Sequence, residues 1–228
     1  MRRFVSSELP SEGKMVTLSK AQSHHLLRVV GIAPNERVIV LDGQGGACKA
    51  KLATVENGLA TLCYVAPHIV PNVSAELWMA LALTKPPAFT LSLRMLTEIG
   101  VSHIVPVVTE RSQRRKEKPE RWQRIILSAL QQSGRVQLPK LYPLQPLGDM
   151  IQLCENLPSK TFLHPGAAVL GGLFEGGVAL IGPEGGLTRS EINTLIDAGW
   201  VGGSLGLSTL RADTAAAVAA GILLQPDA

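Results

Sequence analysis

The stretch Ala179–Ile192, "ALIGPEGGLTRSEI", passes from an apolar run through a glycine-rich turn to the start of a helix. The run reads as a buried strand. Thr188 and Glu191 have the T-x-x-E spacing of a capping box, and Ile192, Leu195 and Ile196 supply an apolar face. Gly199 is the expected stop. The loop between them therefore sits at the carboxyl end of a strand, where open α/β sheets bind ligands. Two phosphate-binding readings fail. A Walker loop ends in Gly-Lys-Ser/Thr, but here Leu187 and Thr188 follow Gly186. A dinucleotide fingerprint needs G-x-G-x-x-G, and Gly182, Gly185 and Gly186 have other spacings. The acid in the turn, Glu184, repels phosphate and suits hydroxyls, amines or a cationic ligand.

Upstream of this stretch the chain alternates strand and helix. "AELWMALAL" (75–83) is near-continuously apolar, as a parallel strand buried on both faces would be. Pro86-Pro87 opens a helix whose Phe89, Leu93 and Leu96 share a face, and Gly100 ends it. "HIVPVV" (103–108) is the next strand. A second helix starts at Pro119, carries Trp122, Ile125, Ile126, Ala129 and Leu130 at helical spacing, and closes at Gly134. "TFL", "VALIG" and "GGSLGL" read as further strands. This alternation predicts an α/β domain with a mostly parallel sheet.

The first third has a different rhythm. A short helix, "SKAQSHHLLRVVG", precedes "RVIVL" (37–41). "KAKLATV" and "LATLCYV" flank Asn57-Gly58, a strong signal for a two-residue hairpin. Short strands at this spacing predict a small β-barrel. "APHIVPNVS" (66–74) is the expected linker. The chain has 228 residues, 46% of them hydrophobic, enough for one large domain or two small ones. A net charge of +4 permits a polyanionic partner, and 4% aromatic content argues against wide base-stacking platforms. Three scattered cysteines without a CxxC pair predict neither a metal site nor a disulfide framework, and fit a reducing cytoplasm. The basic start "MRRFVSSELPSEGK" lacks the apolar run of a signal peptide, and no stretch is long and apolar enough to span a membrane.

Two more strand ends join the glycine loop as site candidates. "FLHPGA" (162–167) is one. "GGSLGLSTLRADTAAAVAAGIL" (202–223) is the other, a strand end followed by an alanine-rich helix expected over 214–224. Asp213 or Thr214 would cap that helix. Arg211 is left over as a guanidinium at the helix mouth. Three strand ends offering backbone groups and few charges suit a flat neutral base attached to a sulfonium, as in S-adenosylmethionine.

Several motifs, in order along nearly the whole chain, resemble the bacterial ribosomal RNA small-subunit methyltransferase E family of the SPOUT class. They are "HLLRVVGIAPNERVIVLDGQG", "LTEIGVSHIVPVVTERS", "QQSGRVQLPKL", "LIGPEGGLTRSEI" and "LGLSTLRADTAA". The resemblance implies a PUA-like β-barrel RNA-binding domain over 1–70. It also implies a SPOUT methyltransferase domain over 71–228 with a C-terminal trefoil knot and a knotted cofactor site. It implies S-adenosyl-L-methionine as cofactor, no metal, 16S ribosomal RNA in the small subunit as partner, and a homodimer through the C-terminal domain. The cofactor residues it implies are Leu163, His164, Pro165, Ile181, Gly182, Pro183, Glu184, Gly185, Gly186, Leu205, Gly206, Leu207, Ser208 and Leu210. Close backbone approach of the ligand would require a glycine at 185. Arg211 matches the family arginine that opens the final helix. The chain departs from the family at Leu207-Ser208, where the family has Pro-Arg, and at Arg94-Met95, where it has Gln-Lys.

The family product is 3-methyluridine. Uridine N3 is a poor nucleophile until its imide proton leaves, and a positioned guanidinium would stabilise the charge on the uracil carbonyls. Arg211 is the catalytic candidate. Glu184, Asp213 or water is the base. The expected RNA contacts are Arg2, Arg3 and Arg28 on the barrel, Arg111, Arg114 and Arg115 in the run "ERSQRRKEKPER", and Arg135 after Gly134. They would neutralise phosphates without reading sequence. The rival reading is a noncatalytic RNA-binding assembly factor on the same fold.

Overall fold

The computed structural model describes residues 1–33, 36–70, 76–113, 118–171 and 176–224. The chain divides into two compact units, one of residues 1–72 with 127–138 and one of residues 73–126 with 139–228.

The first unit holds β1 (Arg3–Val5), β2 (Val16–Thr17), α1 (Lys20–His24), β3 (Arg37–Leu41), β4 (Ala47–Glu56) and β5 (Leu59–Pro67). Ser19 caps α1 by accepting the Gln22 N–H, and the helix runs on into a π-type turn over His25–Val29. The sheet order is β1-β3-β4-β5-β2. The five strands form one sheet, and among the described residues no ladder joins its edges β1 and β2. Asn57 and Gly58 both take positive φ, 51° and 76°, which is what a tight β4–β5 turn requires. Phe4, Leu18, Leu26, Val38, Val40 and Leu62 form the core of this unit.

A second apolar cluster joins Ile39 and Leu41 to Leu130, with Val136 and Leu138 packed against it. This places Leu127–Leu138 with the first unit, whereas the sequence reading assigned everything after residue 70 to one domain. The reason is side-chain packing, which linear position does not reveal.

The second unit contains β6 (Leu77–Ala82), α2 (Pro86–Ile99), β7 (His103–Val108), α3 (Pro119–Ser133, its last turns shared with the first unit), β8 (Lys140–Leu141) and β9 (Gln145–Pro146). It continues with α4 (Leu147–Leu153), β10 (Lys160–Leu163), β11 (Gly177–Ile181), α5 (Arg189–Asp197), β12 (Val201–Gly203) and α6 (Ala212–Leu223). The sheet order is β12-β10-β11-β6-β7-β8, with β9 also on β7, and every pairing is parallel. β11 is buried at all five positions and β6 at five of six, as expected for central strands covered on both faces.

Two expected boundaries move. The strand expected at "GGSLGL" is Val201–Gly203, and the chain leaves the ladder after Ser204. The final helix begins at Ala212 rather than Thr214, with Arg211 as its N-cap and no side-chain capping bond. β12 is the sheet edge beyond β10. Yet α6, which follows it, packs on α2, β6 and β11, on the other side of β10.

Cys48, Cys63 and Cys154 are free thiols. Burial pushes the Cys154 thiol up to about 11. No described helix is long and apolar enough to cross a membrane.

Candidate functional site

The carboxyl ends of β10, β11 and β12 are adjacent in the sheet, so the loops that leave them converge. They enclose a cavity of about 930 Å³, lying wholly within the second unit. That volume is at the upper end of the range for small-molecule and cofactor sites.

Backbone bonds knit the loops together. His164 donates its N–H to Gly203 O (2.9 Å), Leu170 to Ser204 O (2.7 Å), and Ser204 to Ala168 O (2.7 Å). The glycine loop closes as a turn in which Gly186 donates to Pro183 O at 2.8 Å. Gly186 has φ +69°, a conformation that costs a side-chain-bearing residue strain. Thr188 caps α5 through its hydroxyl, and Glu191 returns the bond to the Thr188 N–H at 2.8 Å, so the expected capping box is present.

The structure brings all the sequence-predicted cofactor residues to this one cavity: Leu163, His164 and Pro165 from the first loop, Ile181 to Gly186 from the second, and Leu205 to Ser208 with Leu210 from the third. Ala88, Val169, Leu187 and Ala215 also line it without a signal in the sequence, and Asp213 joins them there. Ala88 carries no chemical signal in sequence. Asp213 is the residue that the sequence offers as a helix cap or as the base.

The acids and arginines among the described lining residues, Glu184, Asp213, Arg111 and Arg211, are each already engaged. Lys85 donates its backbone N–H to Glu184 Oε1 at 3.1 Å, so this acid satisfies a donor at the entrance of α2. Arg111 Nη1 donates to Gly185 O at 2.8 Å. A Cβ at Gly185 would meet the Arg111 stem at 3.4 Å, ordinary contact, so what packs on Gly185 is a neighbouring side chain rather than open ligand space. Gly206, at φ +113° and with nothing near its Cβ position, is, like Gly186, a cavity glycine whose backbone other residues do not adopt readily.

Arg211 is not the lone guanidinium that the sequence implied. Its Nε lies 3.4 Å from Asp213 Oδ1 and its Nη2 lies 3.4 Å from Oδ2. The Asp213 side chain is 6% exposed and that of Arg211 is 79% exposed. Asp213 Oδ1 also accepts the Thr214 N–H at 3.0 Å. The pair places a buried carboxylate under an outward-facing cation at the mouth of α6.

The remaining arginines lie elsewhere. Arg2 donates to Val30 O at 2.9 Å and has Glu36 at 3.7 Å. Arg3 donates to Gln132 O at 3.3 Å and covers Gly134, a structural use of its charge at the end of α3. Arg28 is exposed on the π-type turn, and Arg135 is half-buried next to Gly134. Arg114 and Arg115 lie outside the described residues.

The walls combine aliphatic side chains, glycine-rich backbone, two acids and two arginines, with no lysine among the described lining residues. Such walls suit a flat, largely apolar ligand with a few polar groups.

Residues 71–224 match the family model described as the RNA methyltransferase domain. The chain is 34% identical to the ribosomal RNA small subunit methyltransferase E of Synechocystis sp. over 90% of its own length and 71% of the relative's. It is 26% identical to the protein of that name from Aquifex aeolicus, covering 98% and 99%. Among solved structures, the ribosomal RNA small subunit methyltransferase E of Neisseria gonorrhoeae, bound to S-adenosyl methionine, superposes with a TM-score of 0.88 at 30% identity, covering 96% of this chain and 95% of that one.

Proposed function

The chain belongs to the RNA methyltransferase domain family, in its ribosomal RNA small subunit methyltransferase E branch, and on that premise we propose that it methylates N3 of a uridine in 16S ribosomal RNA, using S-adenosyl-L-methionine. The observation that carries the reading is the convergence of three strand-end loops on one weakly charged cavity. The residues present fit the cofactor. Aliphatic walls from Leu163, Ile181, Leu187 and Leu205 suit an adenine, and the carboxylates of Glu184 and Asp213 complement a sulfonium. When bound, the cofactor supplies an electrophilic methyl group on a positively charged sulfur, which keeps the bonding pair as the methyl leaves.

In this reading Leu163 to Pro165, Ile181 to Gly186, and Leu205 to Ser208 with Leu210 hold the cofactor, largely through backbone groups. The chain's own task is to orient the uracil edge against the methyl group. Such orientation is worth about 7–11 kcal/mol in favourable cases. The target base leaves any stack to enter the site. Its N3 proton passes to Glu184, Asp213 or water. Arg211, oriented by Asp213, stabilises the negative charge left on the uracil.

The first unit serves as a PUA-like barrel that grips RNA. The register shifts of β4 at Lys49/Ala50 and Leu52/Thr54 support this, because bulges coil a sheet. Arg2, Arg3, Arg28, Arg111, Arg114, Arg115 and Arg135 are the proposed RNA contacts. The return of the chain from edge strand β12 to α6 on the far side of β10 supports a trefoil knot. The active form is a cytoplasmic homodimer joined through the second unit. Exposed Leu91 on α2 and Val218 on α6 supply apolar surface for that contact.

The test is mass analysis of nucleosides from small subunits lacking the modification, before and after incubation with the protein and S-adenosylmethionine. The expected product is 3-methyluridine. Methylation at carbon 5 or on ribose overturns the reaction. RNA binding without turnover favours an assembly factor.

A further inference from the structure

Two guanidinium groups line the cavity, Arg111 and Arg211, and their surroundings differ. Arg211 faces Asp213 through two contacts of 3.4 Å. Arg111 has no carboxylate partner among the described residues; its Nη1 donates to Gly185 O. The two acids in the cavity wall are engaged elsewhere, Glu184 by the Lys85 N–H and Asp213 by Arg211 and the Thr214 N–H. A guanidinium carries five N–H donors, so most of the Arg111 hydrogen-bonding capacity is open for an anion.

Arg111 is also held in place. The turn that carries it is closed by Ser112 N–H to Thr109 O (3.1 Å), Thr109 N–H to Ser112 Oγ (3.0 Å) and a Thr109–Ser112 hydroxyl contact of 2.8 Å. The residue before it, Glu110, donates its N–H to Glu191 Oε1 at 2.7 Å. Its stem lies against Gly185. A cation fixed by this frame needs little reorganisation when charge develops beside it.

We propose that Arg111 is a further catalytic residue, which together with Arg211 stabilises the uracil anion, one guanidinium for each carbonyl oxygen beside N3. The inference rests on the proposed reaction and sharpens the role of Arg111 from a general RNA contact to a contact with the reacting base. When N3 loses its proton to the base or to water, the negative charge spreads over N3 and the oxygens on either side of it. The N3 electron pair then forms the bond to the methyl carbon, the carbon–sulfur pair stays on sulfur, and the uracil ends neutral. Charge on the oxygens is therefore greatest before and during transfer and gone afterwards. A guanidinium there accelerates the step, whereas a guanidinium on a phosphate binds ground and transition states alike.

The experiment is single-turnover methylation of small subunits at saturating cofactor across a pH series, for the wild type, Arg111→Ala and Arg111→Lys, with thermal melts confirming that each variant folds. The alanine variant is expected to lose a factor on the order of 10²–10³ in rate. Its rise in rate with pH is expected to move to more alkaline pH, because the imide loses its proton less readily. Lysine restores part of both. Titrations of cofactor and of RNA are expected to change little. A rate loss matched by weaker RNA binding and a flatter salt dependence, with the pH profile unmoved, makes Arg111 a phosphate contact and overturns the proposal. A parallel fall in cofactor affinity makes it a prop for the glycine loop and also overturns it. Both outcomes leave the reaction standing. Absence of 3-methyluridine from the wild-type product removes the reaction and this role together.

Discussion

Glu191 Oε1 accepts the backbone N–H of Glu110 at 2.7 Å, across 81 positions of sequence. Its other oxygen accepts the Thr188 N–H at 2.8 Å. One carboxylate thus closes the first turn of α5 and pins the turn that follows β7. Glu191→Ala removes both acceptors and leaves two donors seeking water. We expect a loss of about 1–3 kcal/mol in urea unfolding. Glu191→Gln keeps one carbonyl acceptor and should lose less.

Arg211→Ala should slow single-turnover methylation by a factor on the order of 10²–10³ while leaving cofactor affinity near that of the wild type. The same change leaves Asp213 buried without its cation, so the melting temperature should also fall. Asp213→Asn in the same background should restore stability without restoring rate. Near-normal turnover of Arg211→Ala would show that the pair only secures the helix entrance.

Two glycines of the cavity should respond in opposite ways. Gly206 has φ +113°, so Gly206→Ala imposes backbone strain on the order of 1–3 kcal/mol. It should also weaken S-adenosylmethionine binding in calorimetry, because the loop must move to relieve the strain. Gly185→Ala places a methyl in ordinary contact with the Arg111 stem and should be nearly silent in both measurements.

His103 should make stability depend on pH. Its ring stacks on Trp78 with centroids 4.0 Å apart and its side chain is 15% exposed. Burial lowers its pKa from 6.5, the Glu76 carboxylate opposes that shift, and the Lys140 charge adds to it. The unfolded chain therefore binds the proton more readily than the folded one. This contribution to stability is complete above about pH 6.5 and is lost as pH falls toward the folded value. Denaturant midpoints measured across that window should show the decline, and His103→Gln should flatten it.

The proposed dimer contact is open to a direct check. Leu91 on α2 and Val218 on α6 are 40% and 37% exposed. Light scattering of the full chain should give twice its mass of 24.3 kDa. Leu91→Glu with Val218→Glu should shift it toward the monomer by burying charge in the contact. A double variant that stays dimeric places the contact elsewhere.

Local chemistry made much of this architecture readable in advance. Asn57-Gly58 demanded a tight turn, Pro86 and Gly100 bracketed a helix, and the T-x-x-E of Thr188 and Glu191 set the start of α5. The unbroken apolar runs of β6 and β11 implied strands covered on both faces. What stayed hidden depended on contacts between distant residues. Nothing in "VTERS" shows that Arg111 reaches Gly185 O, or that the Glu110 N–H needs Glu191. The Arg211–Asp213 pair was two letters apart, yet i and i+2 on a helix normally point apart, so spacing argued against it. Ser204 to Leu207 look strand-like by composition, but Gly206 at positive φ takes the chain out of the ladder.

The packing of Leu130, Val136 and Leu138 on Ile39 and Leu41 also governs the order of assembly. A polypeptide emerging from the ribosome folds its early segments first when these are self-sufficient. Here the amino-terminal strands stay incomplete until α3 has been synthesised, although β6, α2 and β7 emerge in between. The gene therefore cannot be cut near codon 70 into two independently folding products. A fragment ending there lacks three of its apolar partners, and a fragment starting there carries those residues exposed. Splitting the protein for separate expression calls for a graft of residues 127–138 onto the amino-terminal piece, with polar replacements left behind in the other.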